Sequence, residues 1–182
     1  MLAPLGLVVH PQSDWKVPEA EETASTFIEN ALEKARNAAR HTGLPSLADD
    51  SGLVVPALKG EPGIYSARYA GEDAGDQANM HKLLATLEQQ PGIDRQAYFY
   101  CAMVLVDTAD DPAPLVATAR WHGEILHSMR GDGGFGYDPI FGVRGSQLSA
   151  AEMSSEQKHR LSHRGQALKE LVRQLHERDG AC

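Results

Sequence analysis

Two aspartates stand side by side in ADDSGL, residues 48–53, between the apolar stretches PSLA and LVV. An acid pair beside buried strands is one way to hold Mg2+ and orient a water, because hard cations take oxygen ligands. Successive strand residues point to opposite faces, so only one of Asp49 and Asp50 could serve a given site. The same DDSG also makes a good turn, since aspartate and serine hydrogen-bond nearby backbone and glycine tolerates positive φ. Both readings stand from the residues alone.

Three further features carry chemistry. Lys34 lies seven residues after Phe27, which on a helix places it within about 20° of that residue and close to Ala31 and Ala38. It is either a lysine whose stem packs while its head reaches water, or a cation brought to the DDSG segment, where it could neutralise a phosphate. In SHRGQALKELVRQL, Ser162 suits an N-cap, and His163 and Arg164 then fall in the first helical turn. Cations are unfavourable at that end of a helix, yet useful where an electron-rich ligand docks; an exposed basic turn is the competing reading. GDGGFGYDP joins backbone-permissive glycines to Phe135, Tyr137 and Asp138, which suits a loop presenting an aromatic face to a flat ring, or a glycine-rich turn with packed aromatics. It is neither a Walker loop nor a GxGxxG dinucleotide fingerprint.

These groups need elements to position them. Leu5 to His10 reads as a short apolar strand, followed by a Glu-rich stretch to Thr23. Thr26 and Glu29 make a capping-box pattern, and Phe27, Ala31, Ala35 and Ala38 recur at helical spacing until Gly43 and Pro45 stop the helix. Leu44 to Val55 reads as strand, a DDSG turn or kink, then strand. Met80, Leu83, Leu84 and Leu87 form one face of a second helix that ends at Pro91 and Gly92; this face reads as core rather than a binding stripe. AYFYCAMVLV, 97–106, is a buried strand, and DTADDPAP lets PLVATARWHGEIL return antiparallel as a central hairpin. A polar helix around Ala151 to Arg160 precedes a last helix with Leu168, Leu171, Val172 and Leu175 on one side. Strands and helices interleave without repeat or linker, so the class is α/β with a mixed sheet and a single domain over residues 1–182.

The bulk properties narrow the function classes. A chain of 182 residues with 42% hydrophobic content can bury roughly 70% of its extended surface in one core. Twenty-five acidic against 17 basic side chains give a formal charge of -8, which opposes binding to a nucleic-acid polymer but not a local grip on a small anion. Two cysteines, Cys101 and Cys182, make a disulfide framework or cysteine metal cluster implausible and fit a reducing cytoplasm. No stretch reaches the roughly 18 apolar residues of a membrane span.

Together EETASTFIENALEKA, ADDSGL, PGIYSARYAGEDA, GGFGYDPIF and SHRGQALK, in this order across nearly the whole chain, resemble the inosine/xanthosine triphosphate pyrophosphatase family. The resemblance implies an elongated α/β body around a long mixed sheet, two lobes with a nucleotide cleft between them, and a homodimer. It implies Mg2+-dependent hydrolysis of ITP, dITP and XTP to the monophosphate and pyrophosphate, which keeps deaminated purines out of DNA and RNA. By motif, Asp50 would be the general base and a metal carboxylate, with Glu22, or failing that Glu21, as the second metal acid. Lys34 would stabilise phosphate charge. Ser51, Gly136 and Tyr137 would contact the substrate, Phe135 would stack on the purine, Asp138 would fix its edge, and Lys158, His163 and Arg164 would complete the base pocket.

Family members begin with a strand, a T/S-x-N-x-x-K loop and a helix that bind the triphosphate, and MLAPLGLVV aligns after that segment. The resemblance therefore implies a first strand and helix missing ahead of Met1, with unpaired sheet edge and apolar surface exposed, and hence poor stability or compensating self-association. A second hypothesis follows: a catalytically impaired relative that binds nucleotides or persists as a dimerising scaffold.

Overall fold

The computed structural model describes residues 8–180. The strand read at Leu5 to His10 falls partly outside them, and Val8 to His10 form no strand. The first helix, α1 (Phe27–Thr42), starts where the capping box predicts: Thr26 Oγ1 accepts the Glu29 N–H at 3.2 Å, and Gly43 closes the helix with φ 69°. Ala31, Ala35, Ala38 and Ala39 are its buried face.

The next element corrects the reading of DDSG as a turn. Residues 46–54 form one continuous strand, β1 (Ser46–Val54), with both aspartates inside it. Turn-forming residues were overridden here by their surroundings: each aspartate finds partners on its own face of the strand, which removes the need to bond local backbone. Then follow α2 (Asp76–Glu88), β2 (Gln96–Val106), β3 (Leu115–Ile125) and β4 (Phe141–Val143). The four strands form one sheet in the order β1-β2-β3-β4, so the β2 and β3 pair lies at its centre as expected. The α/β class holds, and among the described residues the strands run antiparallel, with no parallel member to make the sheet mixed. Beyond β4, the polar helix read at 151–160 is divided. A 3-10 turn over Ala150–Glu152 is followed by α3 (Ser155–Leu161), because Ser149 and Ser154 each form their own capping box. The chain ends in α4 (His163–Asp179).

The chain divides into two compact units. Unit 1 holds residues up to Ser51, Cys101–Ala119 and Arg164 onward; unit 2 holds Gly52–Tyr100 and Arg120–His163. In unit 1, Ala167 packs with Cys101 and Met103, and Leu171 and Leu175 with Ala117, so the apolar side of α4 lies on β2 and β3. Unit 2 has a core in which Leu53, Leu83, Leu87, Phe99, Trp121, Ile125, Ile140 and Phe141 are buried together. Met80 and Leu83 are core there, as the spacing predicts. Phe99 sits 4.6 Å from Phe141 and Trp121 5.3 Å from it, ring centre to ring centre.

Candidate active site

Unit 1 carries an acid-lysine cluster. Asp50, in the middle of β1, is only 7% exposed. Its Oδ1 accepts from Lys34 Nζ at 2.9 Å and its Oδ2 from Asn30 Nδ2 at 3.2 Å. Lys34 Nζ also meets Glu22 Oε1 at 2.5 Å, so one ammonium joins carboxylates from two separate segments. The lysine in the apolar stripe of α1 is thus bonded to Asp50 rather than merely reaching for water. Burial disfavours the Lys34 charge, but the hydrogen bonds and attraction of Asp50 and Glu22 outweigh it and raise its pKa above 10.5. Glu21 is exposed and makes no ion pair among the described residues, so Glu22 is the acid placed at the cluster.

Asp49 points to the other face of β1, as strand alternation requires. Its Oδ2 accepts from Ser51 Oγ at 2.8 Å and from Arg164 Nε at 3.0 Å, tying the start of α4 to the strand. Both Asp49 and Arg164 stay partly open to solvent. Nearby, burial pushes the Cys101 thiol up to about 12, which favours the protonated thiol at neutral pH. Asp50 with Lys34 and Glu22, and Asp49 with Ser51 and Arg164, therefore form two groups within unit 1.

Unit 2 holds the aromatic loop. Asp138 is buried, and its Oδ2 accepts the Phe135 N–H at 2.8 Å while pairing with Lys158 Nζ. A Cβ on Gly134 would stand 2.1 Å from that carboxylate oxygen, and its φ is +77°, so glycine is required at this point of the loop. Lys158 Nζ lies 4.3 Å from the centre of the Phe135 ring, and Phe135 itself is 59% exposed. An aromatic held by its own backbone and backed by a cation is presented outward. Gly136 donates its N–H to Asp76 Oδ2 at 2.6 Å, which anchors the loop to the first turn of α2. Tyr137 takes a different place from the substrate contact read for it. It is buried, its hydroxyl donates to Ser66 O at 2.8 Å, and burial raises its pKa, so its side chain serves the core. His163 is also buried, its ring stacked on Phe99 at 4.9 Å and 11°. The exposed basic turn therefore does not describe His163.

Sequence reading missed Asn30, Asp76 and Asn79. Asn79 Oδ1 accepts the Ala70 N–H at 2.7 Å and its Nδ2 donates to Ala67 O at 3.0 Å, holding SARYAG against α2. For Asn30 and Asn79 the available signal was a polar residue at a core position of a helix, which survives burial only when bonded; Asp76 is exposed and gave no such signal.

Among the described residues no group of three or more His, Cys, Asp or Glu could hold a metal ion by itself. Mg2+ is commonly held by one or two carboxylates with substrate phosphates and waters completing the shell. Glu22 and Asp50, two oxygen donors converging on one cationic point, fit that pattern.

Across this chain, residues 2–174 match the Ham1 family. The chain belongs to the Ham1 family. It is 56% identical over 172 residues to the dITP/XTP pyrophosphatase of Shigella flexneri, covering 94% of this chain and 87% of that protein. It is 54% identical to the dITP/XTP pyrophosphatase of Idiomarina loihiensis, covering 92% and 83%. The solved HAM1 protein of Coxiella burnetii is similar with a TM-score of 0.88 and 51% identity, covering 92% of this chain and 85% of that one. Such likeness to a solved Ham1 protein shows the fold as well as the family.

Proposed function

We propose that this Ham1 protein hydrolyses deaminated purine nucleoside triphosphates, ITP, dITP and XTP, to the monophosphate and pyrophosphate, limiting their entry into DNA and RNA. Its relatives named dITP/XTP pyrophosphatase support the substrate class. The observation that carries the chemistry is the Glu22, Lys34 and Asp50 cluster. A carboxylate oxygen has two lone pairs, so Asp50 keeps acceptor capacity after bonding Lys34 and Asn30. It can take the proton of the water that attacks the α-phosphorus, and the bond to the pyrophosphate leaving group then breaks. Lys34 offsets phosphate charge. Glu22 and Asp50 would hold Mg2+, which when bound neutralises phosphate charge and lowers the pKa of water.

The unit 2 residues supply chemistry suited to a purine. Phe135 offers a stacking face, and Lys158 can only donate hydrogen bonds. Groups that only donate accept a 6-oxo purine and are left facing the donor 6-amino group of adenine. The reading extends to a homodimer in the cytoplasm, a compartment that suits the free, buried Cys101. No helix among the described residues is long and apolar enough to cross a membrane.

The test is Asp50→Asn assayed for pyrophosphate release and, separately, for nucleotide binding by calorimetry. Loss of a general base should cost about 10²- to 10⁴-fold in kcat with binding retained. Unchanged turnover would remove Asp50 from the base role.

A further inference from the structure

We infer that Asn30 is a positioning residue that ties Asp50 and the segment carrying Glu22 into one arrangement. The inference rests on the proposed roles of those two acids. Asn30 is 1% exposed, beside the alanine face of α1, where an amide costs free energy unless both its ends are bonded. Both are. Its Oδ1 accepts the Ala24 N–H at 3.1 Å and its Nδ2 donates to Asp50 Oδ2 at 3.2 Å. Because the backbone N–H of Ala24 can only donate, the amide is fixed in one orientation, with its NH2 toward Asp50.

The Ala24 bond matters because Ala24 is two residues from Glu22. Asn37 makes a second tie, its Nδ2 donating to Pro18 O at 2.7 Å. Asn30, Lys34 and Asn37 are spaced four and three residues apart and share one face of α1. That face bonds the chain ahead of the helix at Pro18, Glu22 and Ala24, and Asn30 and Lys34 each also reach Asp50, Asn30 at Oδ2 and Lys34 at Oδ1. A leucine has the same branched heavy-atom skeleton, so shape alone gives no reason for an amide here.

The experiment uses Asn30→Leu, with Asn30→Ala as a second variant that adds no bulk, each checked for folding by its thermal midpoint. Two quantities are read: Mg2+ affinity of the nucleotide-free protein by titration calorimetry with Mg2+ alone, and kcat and KM with dITP. Losing an outer-shell partner should weaken Mg2+ binding about 10- to 100-fold and lower kcat on a similar scale, with KM little changed. A folded variant that keeps wild-type kcat and Mg2+ affinity, or that changes KM alone, overturns the inference. Asp50→Asn separates the two levels. If it abolishes turnover while Asn30→Leu does nothing, only the positioning role fails; if it too leaves turnover unchanged, the reading of the reaction fails.

Discussion

Lys34 is bound by both acids of its cluster, and it should matter for stability as well as turnover. Lys34→Met leaves a buried Asp50 without its cation; since the lysine is itself partly exposed, we expect a loss of about 1–3 kcal/mol in urea unfolding at neutral pH. The pH dependence follows from the raised pKa. Stability contributed by a lysine whose folded pKa lies above its unfolded value is complete below the unfolded value and is lost as pH rises through the folded one. With the folded pKa above 10.5, the thermal midpoint of the wild type should fall more steeply than that of Lys34→Met only in the alkaline range beyond that point. Parallel curves there would mean the cluster adds nothing to stability. Phe135 poses the opposite case, since it is largely exposed and can be removed without disturbing the core. Phe135→Ala should weaken nucleotide binding by about 1–3 kcal/mol, the usual worth of a base stacked on an aromatic ring, with an unchanged thermal midpoint. Unaltered nucleotide affinity would deny it the stacking role.

At the scale of elements, the pairing of β3 with β4 depends on close backbone approach. Gly123 lies opposite Val143, and a Cβ there would sit 2.2 Å from Gly142 O and 2.6 Å from the Phe141 ring. Gly123→Ala should therefore cost about 1–3 kcal/mol, as forced insertion into a packed region does, and lower the thermal midpoint. Gly142→Ala should cost less, because its Cβ would meet the flexible end of Leu126 at 2.7 Å. Equal midpoints for the two variants would contradict this reading of the β3 and β4 register. Neither demand was legible in the sequence, where WHGEIL reads only as a strand. The helices were legible where caps and apolar spacing agreed, as at Thr26 and along Met80 to Leu87. The turn or kink reading of DDSG gives way to strand because its turn-forming side chains are satisfied by Asn30, Lys34 and Arg164, none of them neighbours in sequence. The split of the helix before Ser155 was visible in principle, since Ser149 and Ser154 each precede an acid or amide at capping spacing.

For the whole molecule, the acidic and basic groups of the candidate site were readable as residue types but not as partners. Asp50 and Lys34 are 16 residues apart, and Arg164 lies 115 residues beyond Asp49. No composition change marks the two units, because β1, β2 and β3 each give residues to both. What the motifs in order did convey was the family, and with it the reaction to be tested. The most direct test is to supply the protein with dITP, XTP and ITP, and with ATP and GTP as controls, in the presence of Mg2+, and to identify the products. Pyrophosphate with the nucleoside monophosphate is expected, with kcat/KM for the deaminated purines exceeding that for ATP by at least about 100-fold, the scale set when donor-only groups face a donor. Folded protein that releases orthophosphate, turns over ATP equally well, or releases no pyrophosphate from any of the three would contradict the account.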